Sequence, residues 1–201
     1  RHRVMRASGI LMPVFSLPSR YGIGSFSKSA YQFVDMLKKA GQKYWQILPL
    51  CPTSYGDSPY QSFSTYAGNP YFIDLDQLIE EKLLTRKECQ ACDFGDDPQD
   101  IDYGKLYENR FKLLRKAYER ANVGEDQEFE AYRRKNAWWL DDYALFMAVK
   151  DRFDGVAWNE WAEDIRLRWS NAMDYYRRKT EFIPAVREAF ERLESQYDAI
   201  V

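Results

Sequence analysis

The sequence predicts an α/β protein that begins with one βαβ unit and continues as a mainly helical region. Two short apolar runs, residues 9–14 and 44–48, flank a segment whose apolar residues have helical spacing. A long loop follows the second run, and helical patterns occupy most of the chain after Leu78. Two short buried strands joined by a helix are typical of a parallel pair, because parallel strands need a crossover connection.

The helix between the two strands has recognisable ends. Ser27 is suited to cap its first turn, because a serine hydroxyl accepts a hydrogen bond from the free N–H groups there. Five apolar residues then recur on one helix face: Ala30, Phe33, Val34, Leu37 and Ala40. Gly41 follows at once, where a left-handed residue often ends a helix. We therefore expect a helix that begins after Ser27 and ends before Gly41.

Residues 51–70 are predicted to form a long loop. The segment is dense in Gly, Pro, Ser, Thr and Tyr, which are the residues of turns rather than of regular structure. Long loops inside compact domains are commonly either functional or disordered. The aromatic residues of this one disfavour disorder, so we interpret it as a functional loop.

Four further segments have helical spacing of apolar residues: 78–84, 105–121, 129–153 and 181–197. One βαβ unit does not close a sheet, because a parallel pair needs more strands or helices to bury both of its faces. The pattern fits an incomplete (β/α)₈ barrel, a fold that takes ~250 residues when complete. We expect its first βαβ portion at residues 1–77, with a substrate loop at 52–70. A mainly helical insertion and a truncated tail would follow at 78–201.

Composition and charge disfavour several classes of function. A formal net charge of -2 gives no reason to expect a nucleic acid or a membrane surface as partner. No apolar run approaches the ~20 residues of a membrane span, and we predict a cytoplasmic location. The aromatic content, with six Trp and fifteen Tyr, fits either a sugar-binding protein or an aromatic-rich core.

Cys89 and Cys92 form a C-x-x-C pair, which raises the question of a zinc site. A structural zinc ion needs four ligands, and the remaining candidates are the distant Cys51 and His2 at the terminus. We therefore expect neither a metal nor a cofactor. The single histidine, His2, also disfavours a nucleophilic site that relies on a histidine base.

Four stretches of the chain resemble the 4-alpha-glucanotransferases, which are also called amylomaltases or disproportionating enzymes. They are SGILMPVFSLPSRYGIGSF at 8–26, QKYWQILPL at 42–50, PTSYGDSPYQSFSTYAGNPYFIDLDQL at 52–78 and WWLDDYALFMAVKDRFDGVAWNEW at 138–161. The loop motif is the longest and the most distinctive of them. The resemblance covers roughly residues 8–168, corresponds to the N-terminal part of that family, and weakens from Trp169 onward.

The resemblance implies an enzyme that transfers 1,4-alpha-glucan segments between maltodextrins with retention at the anomeric carbon. Such a double displacement needs two carboxyl groups ~5 to 5.5 Å apart across the glycosidic bond. The catalytic carboxylates of the family lie beyond the matched region, so we assign no catalytic residue and expect the chain alone to be inactive. Two alternatives are a catalytically inactive glucan-binding fragment and a related alpha-glucan hydrolase.

The resemblance also implies residues that contact a maltodextrin or another alpha-glucan. Tyr60 should stack on the sugar beside the scissile bond, and Asp57, Ser58 and Gln61 should hydrogen-bond to sugar hydroxyls. The competing interpretation is structural: the sequence Gly-Asp-Ser-Pro is an ordinary turn sequence, in which Asp57 can cap the turn.

Two further tyrosines match positions that form a second glucan-binding patch in some members of the family. They are Tyr55, in the loop, and Tyr103, at the start of a predicted helix. Buried tyrosines often serve only to pack, which is the alternative for both.

Overall fold

A computed structural model of the chain describes residues 6–53 and 57–177. Within these residues the fold is mainly helical, with two strands and seven α-helices. They belong to two compact units, which divide between Ala121 and Asn122. The predicted division between residues 77 and 78 separates a barrel portion from an insertion, and it stays a prediction.

The two strands are parallel neighbours, as the sequence predicted. β1 (Gly9–Leu11) pairs with β2 (Tyr44–Gln46), and Ile10 lies opposite Trp45. The pairing continues for one more residue, because the Met12 N–H donates to the Gln46 carbonyl oxygen at 3.0 Å.

Both strands are shorter than the apolar runs that predicted them. Pro13 follows Met12 with a φ of -61°, and a 3-10 helix at Val14–Ser16 comes next. Proline has no N–H to donate, so the ladder ends there. Beyond Gln46, β2 no longer pairs with β1, so residues 47 and 48 of the predicted strand lie outside the sheet.

The expectation that both strands are buried is wrong for the described chain. Leu11 is 56% exposed and Tyr44 is 67% exposed. Trp45 of β2 contacts the helix that precedes this strand, where its ring meets Phe33 edge to face at 5.0 Å. The Trp45 Nε1–H also donates to the Met12 carbonyl oxygen at 2.7 Å.

α1 (Lys28–Lys39) begins and ends where the sequence predicted. The Ser27 Oγ accepts a hydrogen bond from the Ser29 N–H at 3.3 Å, so Ser27 is the N-cap. Gly41 has a φ of 72°, and its N–H donates to the Lys38 carbonyl oxygen at 3.1 Å. The Gln42 N–H donates to the Leu37 carbonyl oxygen at 3.0 Å, which completes the hydrogen-bond pattern of a Schellman motif.

Three more helices complete the first unit: α2 (Leu75–Glu80), α3 (Arg86–Gln90) and α4 (Tyr103–Ala121). The predicted helix at 78–84 is displaced toward the N-terminus, because Asp74 caps α2 and Lys82 adopts a positive φ of 63° just after it. α3 was not predicted. α4 matches its predicted helix and begins two residues earlier.

The second unit contains α5 (Gln127–Arg152), α6 (Glu163–Arg166) and α7 (Ser170–Arg177). The long helix predicted at 129–153 is confirmed, and its N-cap is Asp126. One hydrophobic cluster of the second unit contains five buried residues: Leu145, Val149, Ile165, Ala172 and Met173. The helix predicted at 181–197 lies outside the described residues.

None of the helices that the structure describes is both long enough and apolar enough to cross a bilayer.

Candidate functional site

The long loop after β2 is closed at its base by a backbone hydrogen bond. The Asn69 N–H donates to the Leu50 carbonyl oxygen at 2.8 Å. Asn69 is only 3% exposed, and its Oδ1 accepts from the Tyr71 N–H at 3.0 Å. This bond caps a 3-10 helix at Pro70–Phe72, where Pro70 occupies a position that needs no N–H. The loop therefore returns to a fixed and buried point of the first unit.

Serine side chains hold the second half of the loop together. The Ser62 hydroxyl donates to the Ser64 carbonyl oxygen at 2.8 Å and accepts from the Ser64 N–H at 3.2 Å. The Ser64 Oγ accepts from the N–H groups of Tyr66 and Ala67. Such local bonds from side chain to backbone substitute for a helix or a strand, so this part of the loop has a defined course without regular structure.

The first half of the loop contains a tight turn at residues 58–61. The Gln61 N–H donates to the Ser58 carbonyl oxygen at 3.1 Å, and Pro59 occupies the second position, which proline favours. The Ser58 Oγ accepts from the Tyr60 N–H at 3.4 Å. Tyr60 thus stands at the third position of the turn, and it is 72% exposed. A ring in this position is accessible to a flat ligand.

Asp57 precedes the turn with an unusual backbone conformation. Its φ is 59°, in the left-handed region that aspartate tolerates better than most residues do. Asp57 is half-buried, and this burial raises the pKa of its carboxyl group. Burial also raises the pKa of the Tyr71 and Tyr103 hydroxyls, and the charge of Asp57 adds to both shifts. Asp57 therefore lies within electrostatic range of these two tyrosines.

Tyr103 belongs to a group of aromatic rings between α4 and the end of the loop. The centroid of the Tyr71 ring lies 6.2 Å from that of Tyr103 and 5.8 Å from that of Phe111. Phe111 in turn meets Tyr107 edge to face at 5.6 Å. Tyr71 is buried and Tyr107 is exposed, so the group extends from the interior of the unit to its surface.

The structure thus brings most of the predicted substrate residues into one loop region. Ser58, Tyr60 and Gln61 form the turn, and Asp57 links the start of that turn electrostatically to Tyr103. Tyr55 lies outside the described residues. The contacts of all six predicted substrate residues with a sugar stay predictions.

Sequence reasoning missed two residues of this region, Tyr71 and Arg110. Arg110 occupies the buried face of α4 and is itself 1% exposed. The other buried residues of that face are apolar: Leu106, Leu113, Leu114 and Ala117. A charged residue at helical spacing inside an apolar stripe is the signal that could have revealed it. Its Nη2 donates to the carbonyl oxygen of Ile73, two residues after Tyr71.

A cleft of about 920 Å³ opens elsewhere on the first unit, beside the start of α1 and α2. Its lining includes three basic side chains, Arg20, Lys28 and Arg86, and three acidic ones: Asp74, Asp76 and Glu80. The Tyr21 hydroxyl donates to Asp76 Oδ1 at 2.7 Å. The predicted substrate residues that the structure describes do not line this cleft.

The C-x-x-C pair lies at the end of α3. Burial raises the pKa of the Cys89 thiol to about 11 and also raises that of Cys92. Thiolates are the form that binds metals, so these shifts oppose zinc binding. A search of the described residues found no cluster of three His, Cys, Asp or Glu side chains able to hold a metal ion. The expectation of a metal-free chain stays a prediction.

Comparison with known proteins identifies similar sequences over most of the chain. Residues 12–192 match the family described as 4-alpha-glucanotransferase. The 4-alpha-glucanotransferase of Clostridium butyricum is 52% identical over 166 residues, which cover 83% of this chain and 34% of that relative. The Thermus thermophilus 4-alpha-glucanotransferase is 45% identical, over 84% of this chain and 33% of its own length. The chain thus spans about a third of the length of these curated relatives.

A solved structure is similar over nearly the whole chain. The amylomaltase from Streptococcus agalactiae, in complex with acarbose, superposes with a TM-score of 0.88 and is 38% identical. The match covers 96% of this chain and 40% of that protein.

Proposed function

Because this chain belongs to the 4-alpha-glucanotransferase family, we propose that it supplies the N-terminal portion of an enzyme that transfers 1,4-alpha-glucan segments between maltodextrins. The observation that carries the proposal is the loop after β2, where an internally hydrogen-bonded backbone presents the exposed Tyr60 ring. A flat aromatic face beside hydrogen-bonding groups is suited to a sugar ring, whose faces are apolar and whose edge carries hydroxyls.

We further propose that β1, α1 and β2 are the beginning of a (β/α)₈ barrel at residues 1–77, and that residues 78–201 are a mainly helical insertion and a tail. The exposure of the strands supports this, since parallel strands are normally covered on both faces. The loop follows the carboxyl end of β2, which is the edge where barrels of this kind bind their substrates.

In the proposed reaction, a carboxylate attacks the anomeric carbon and the glycosidic bond breaks. A second carboxyl group protonates the departing oxygen. It then removes the proton of an acceptor sugar hydroxyl, which attacks the glycosyl-enzyme and restores the configuration. We assign neither carboxyl group to this chain. Its contribution is binding: Tyr60 supports a sugar ring, while Asp57, Ser58 and Gln61 offer hydrogen bonds.

For the chain by itself we propose glucan binding without transfer. The cytoplasmic location, and the absence of a cofactor, a nucleic-acid partner and a membrane partner, stay predictions from the sequence.

The proposal is tested by titrating the chain with maltoheptaose in a calorimeter. We expect Tyr60→Ala to weaken the affinity by about 10-fold, because loss of one aromatic contact costs about 1.4 kcal/mol. Tyr60→Phe should bind almost as tightly as the original chain, since the ring is retained.

Tyr175→Ala is the matched control, since Tyr175 is an exposed tyrosine of the other compact unit. Equal affinities of the original chain, Tyr60→Ala and Tyr175→Ala would contradict the assignment of Tyr60. No binding by the original chain would contradict the proposal for the loop.

A further inference from the structure

We propose that Arg110 is a positioning residue that holds the end of the substrate loop from helix α4 and thereby sets the spacing between the loop and Tyr103. The inference rests on the proposed function of the loop. Arg110 touches no proposed sugar-binding residue in the described contacts, so its effect would be transmitted through the segment that it holds.

The first observation is the environment of the Arg110 guanidinium. Its side chain is buried, and its Nη2 donates to the Ile73 carbonyl oxygen. Its Nε and Nη1 have no hydrogen-bond partner among the residues that the structure describes. Burial lowers the pKa of Arg110 to about 10, which leaves it charged at neutral pH. A buried cation with so few partners is costly, so stability alone does not account for an arginine here.

The second observation is the segment to which Arg110 donates. Ile73 ends the 3-10 helix Pro70–Phe72, and this helix begins where the Asn69 N–H closes the loop onto Leu50. The Phe26 N–H donates to the Phe72 carbonyl oxygen at 3.1 Å, one residue before Ile73. The end of the loop is therefore tied by backbone bonds to Leu50, in the segment after β2, and to Phe26, in the segment before α1. Arg110 ties the backbone of this segment to α4 through Ile73.

The third observation is what the segment carries. Tyr71 lies within it and meets Tyr103 and Phe111 of α4. The charge of Asp57, at the start of the turn, acts on both Tyr71 and Tyr103. The position of the segment relative to α4 therefore sets the spacing between the end of the loop and Tyr103. A glucan that contacts both the loop and Tyr103 depends on this spacing.

Asp74 explains how the charge of Arg110 is tolerated. This carboxylate follows Ile73 directly, is 9% exposed and favours the charged form of the guanidinium. Asp74 itself is occupied as the N-cap of α2, where its Oδ1 accepts from the Asp76 N–H at 3.1 Å. The negative charge of Asp74 thus compensates that of Arg110, while the hydrogen bond of Arg110 goes to the loop segment at Ile73.

The experiment compares Arg110→Met and Arg110→Lys with Arg120→Met. Arg120 is the matched control, since it also lies on α4 and donates to a backbone carbonyl, that of Leu83, at 3.1 Å. Hydrogen–deuterium exchange is measured on the amides of residues 69–73, with the amides of α1 as the internal reference. Each variant is held at the same interval below its own melting temperature, and maltoheptaose affinity is measured on the same samples.

In Arg110→Met we expect the amides of 69–73 to exchange at least about 10-fold faster while those of α1 are unchanged, because local opening is governed by local contacts. Maltoheptaose affinity should fall several-fold. Global stability should fall, because Asp74 loses a compensating charge, but the variant should stay folded, because the Asp74 carboxylate keeps its hydrogen bond from the Asp76 N–H. Arg110→Lys should show exchange rates and an affinity between those of Arg110→Met and those of the original chain. Arg120→Met should leave both readouts unchanged.

Unchanged exchange at 69–73 in Arg110→Met would overturn the proposal. Global unfolding of that variant, or equal acceleration in α1, would also overturn it, because either result assigns Arg110 to overall stability. If the exchange result is as expected but no form of the chain binds maltoheptaose, the proposed function fails while Arg110 still holds the loop. Exchange therefore tests the positioning, and affinity tests the function.

Discussion

Gly41 and Asp57 both have positive φ angles, of 72° and 59°, but they place different demands on a side chain. Gly41 is the left-handed residue of a helix end, and a Cβ placed there would meet nothing within 4 Å. Asp57 carries its side chain in the same region of backbone space, at a proposed binding site. Strain of this kind at a non-glycine residue is typical of functional loops, where the surrounding contacts hold it in place.

Gly41→Ala should destabilise the first unit by about 1 kcal/mol, because the added Cβ meets its own backbone in the left-handed conformation. Space is available, so the change isolates this conformational cost. Urea unfolding followed by circular dichroism gives the free energy. Gly124→Ala is the control: its Cβ also meets nothing within 4 Å, and its φ is not positive. Equal stabilities of the two variants would contradict the assigned cause.

At the scale of elements, Glu88 joins α3 to α4. Its Oε1 accepts from Arg120 Nη2 at 2.7 Å, and its Oε2 accepts from Arg120 Nη1 at 2.9 Å. Glu88 also completes a capping box with Thr85 at the start of α3. The Arg120 guanidinium, and then Thr85, hold the pKa of the Glu88 carboxyl well below its usual range. One side chain thus caps the start of α3 and anchors this helix to α4.

The stabilising effect of Glu88 should depend on pH. A carboxyl whose pKa is lowered by folding stabilises fully above its unfolded pKa of about 4.3, and the effect is lost as pH falls toward its folded pKa. The loss of stability in Glu88→Gln should therefore be larger at pH 6 than at pH 3, as measured by urea midpoints. In an Arg120→Met background this pH dependence should shrink. The opposite trend would rule out the described pair as the cause.

The elements differ in how far local sequence predicts them. α1 was predictable because Ser27 and Gly41 mark its ends and its apolar face is regular. α3 carries an equally local mark, the Thr85–Glu88 capping box, but its five residues are too few for a periodic pattern. The end of α2, two residues before Lys82, depends on a positive φ at a residue that rarely adopts one. The strand lengths depend on Pro13, which stops pairing in both strands although it follows only β1 in the chain.

The residues of the candidate site also differ in how far the sequence alone predicts them. Tyr60, Asp57, Ser58 and Gln61 were identified because a long loop motif resembles a known family. Arg110 and Tyr71 act through contacts between segments far apart in the chain, such as the bond from Arg110 to Ile73. Residue types and spacing alone do not show which buried cation meets which carbonyl group, so these two required the structure.

At the scale of the whole molecule, the chain matches about a third of the length of its curated relatives. The strand pair is consistent with that proportion, since the two described strands would make up only part of the sheet of the proposed barrel. Substrate binding and catalysis can therefore be tested separately for this chain.

We expect the chain alone to show no disproportionating activity on maltotriose. Retaining transfer requires a nucleophile and an acid/base carboxyl group, and a binding loop does not replace the covalent step. The purified chain is incubated with maltotriose, and glucose and longer maltodextrins are sought by chromatography. Products that disappear when one of the chain's own acidic residues is mutated would show that it contains a catalytic pair.

The hydrogen bond between Asn69 and Leu50 joins the two ends of the segment between them, so this segment can be replaced as a unit. The segment begins four residues after β2 and ends directly before the 3-10 helix Pro70–Phe72, so both of its ends are joined to the framework. The entropy cost of closing a flexible loop rises by only about 0.6 kcal/mol for each doubling of its length. Segments of other lengths and compositions can therefore join the same two anchors at small cost. Under the proposed function, natural variation or design can alter which sugars the loop binds while the framework residues stay the same.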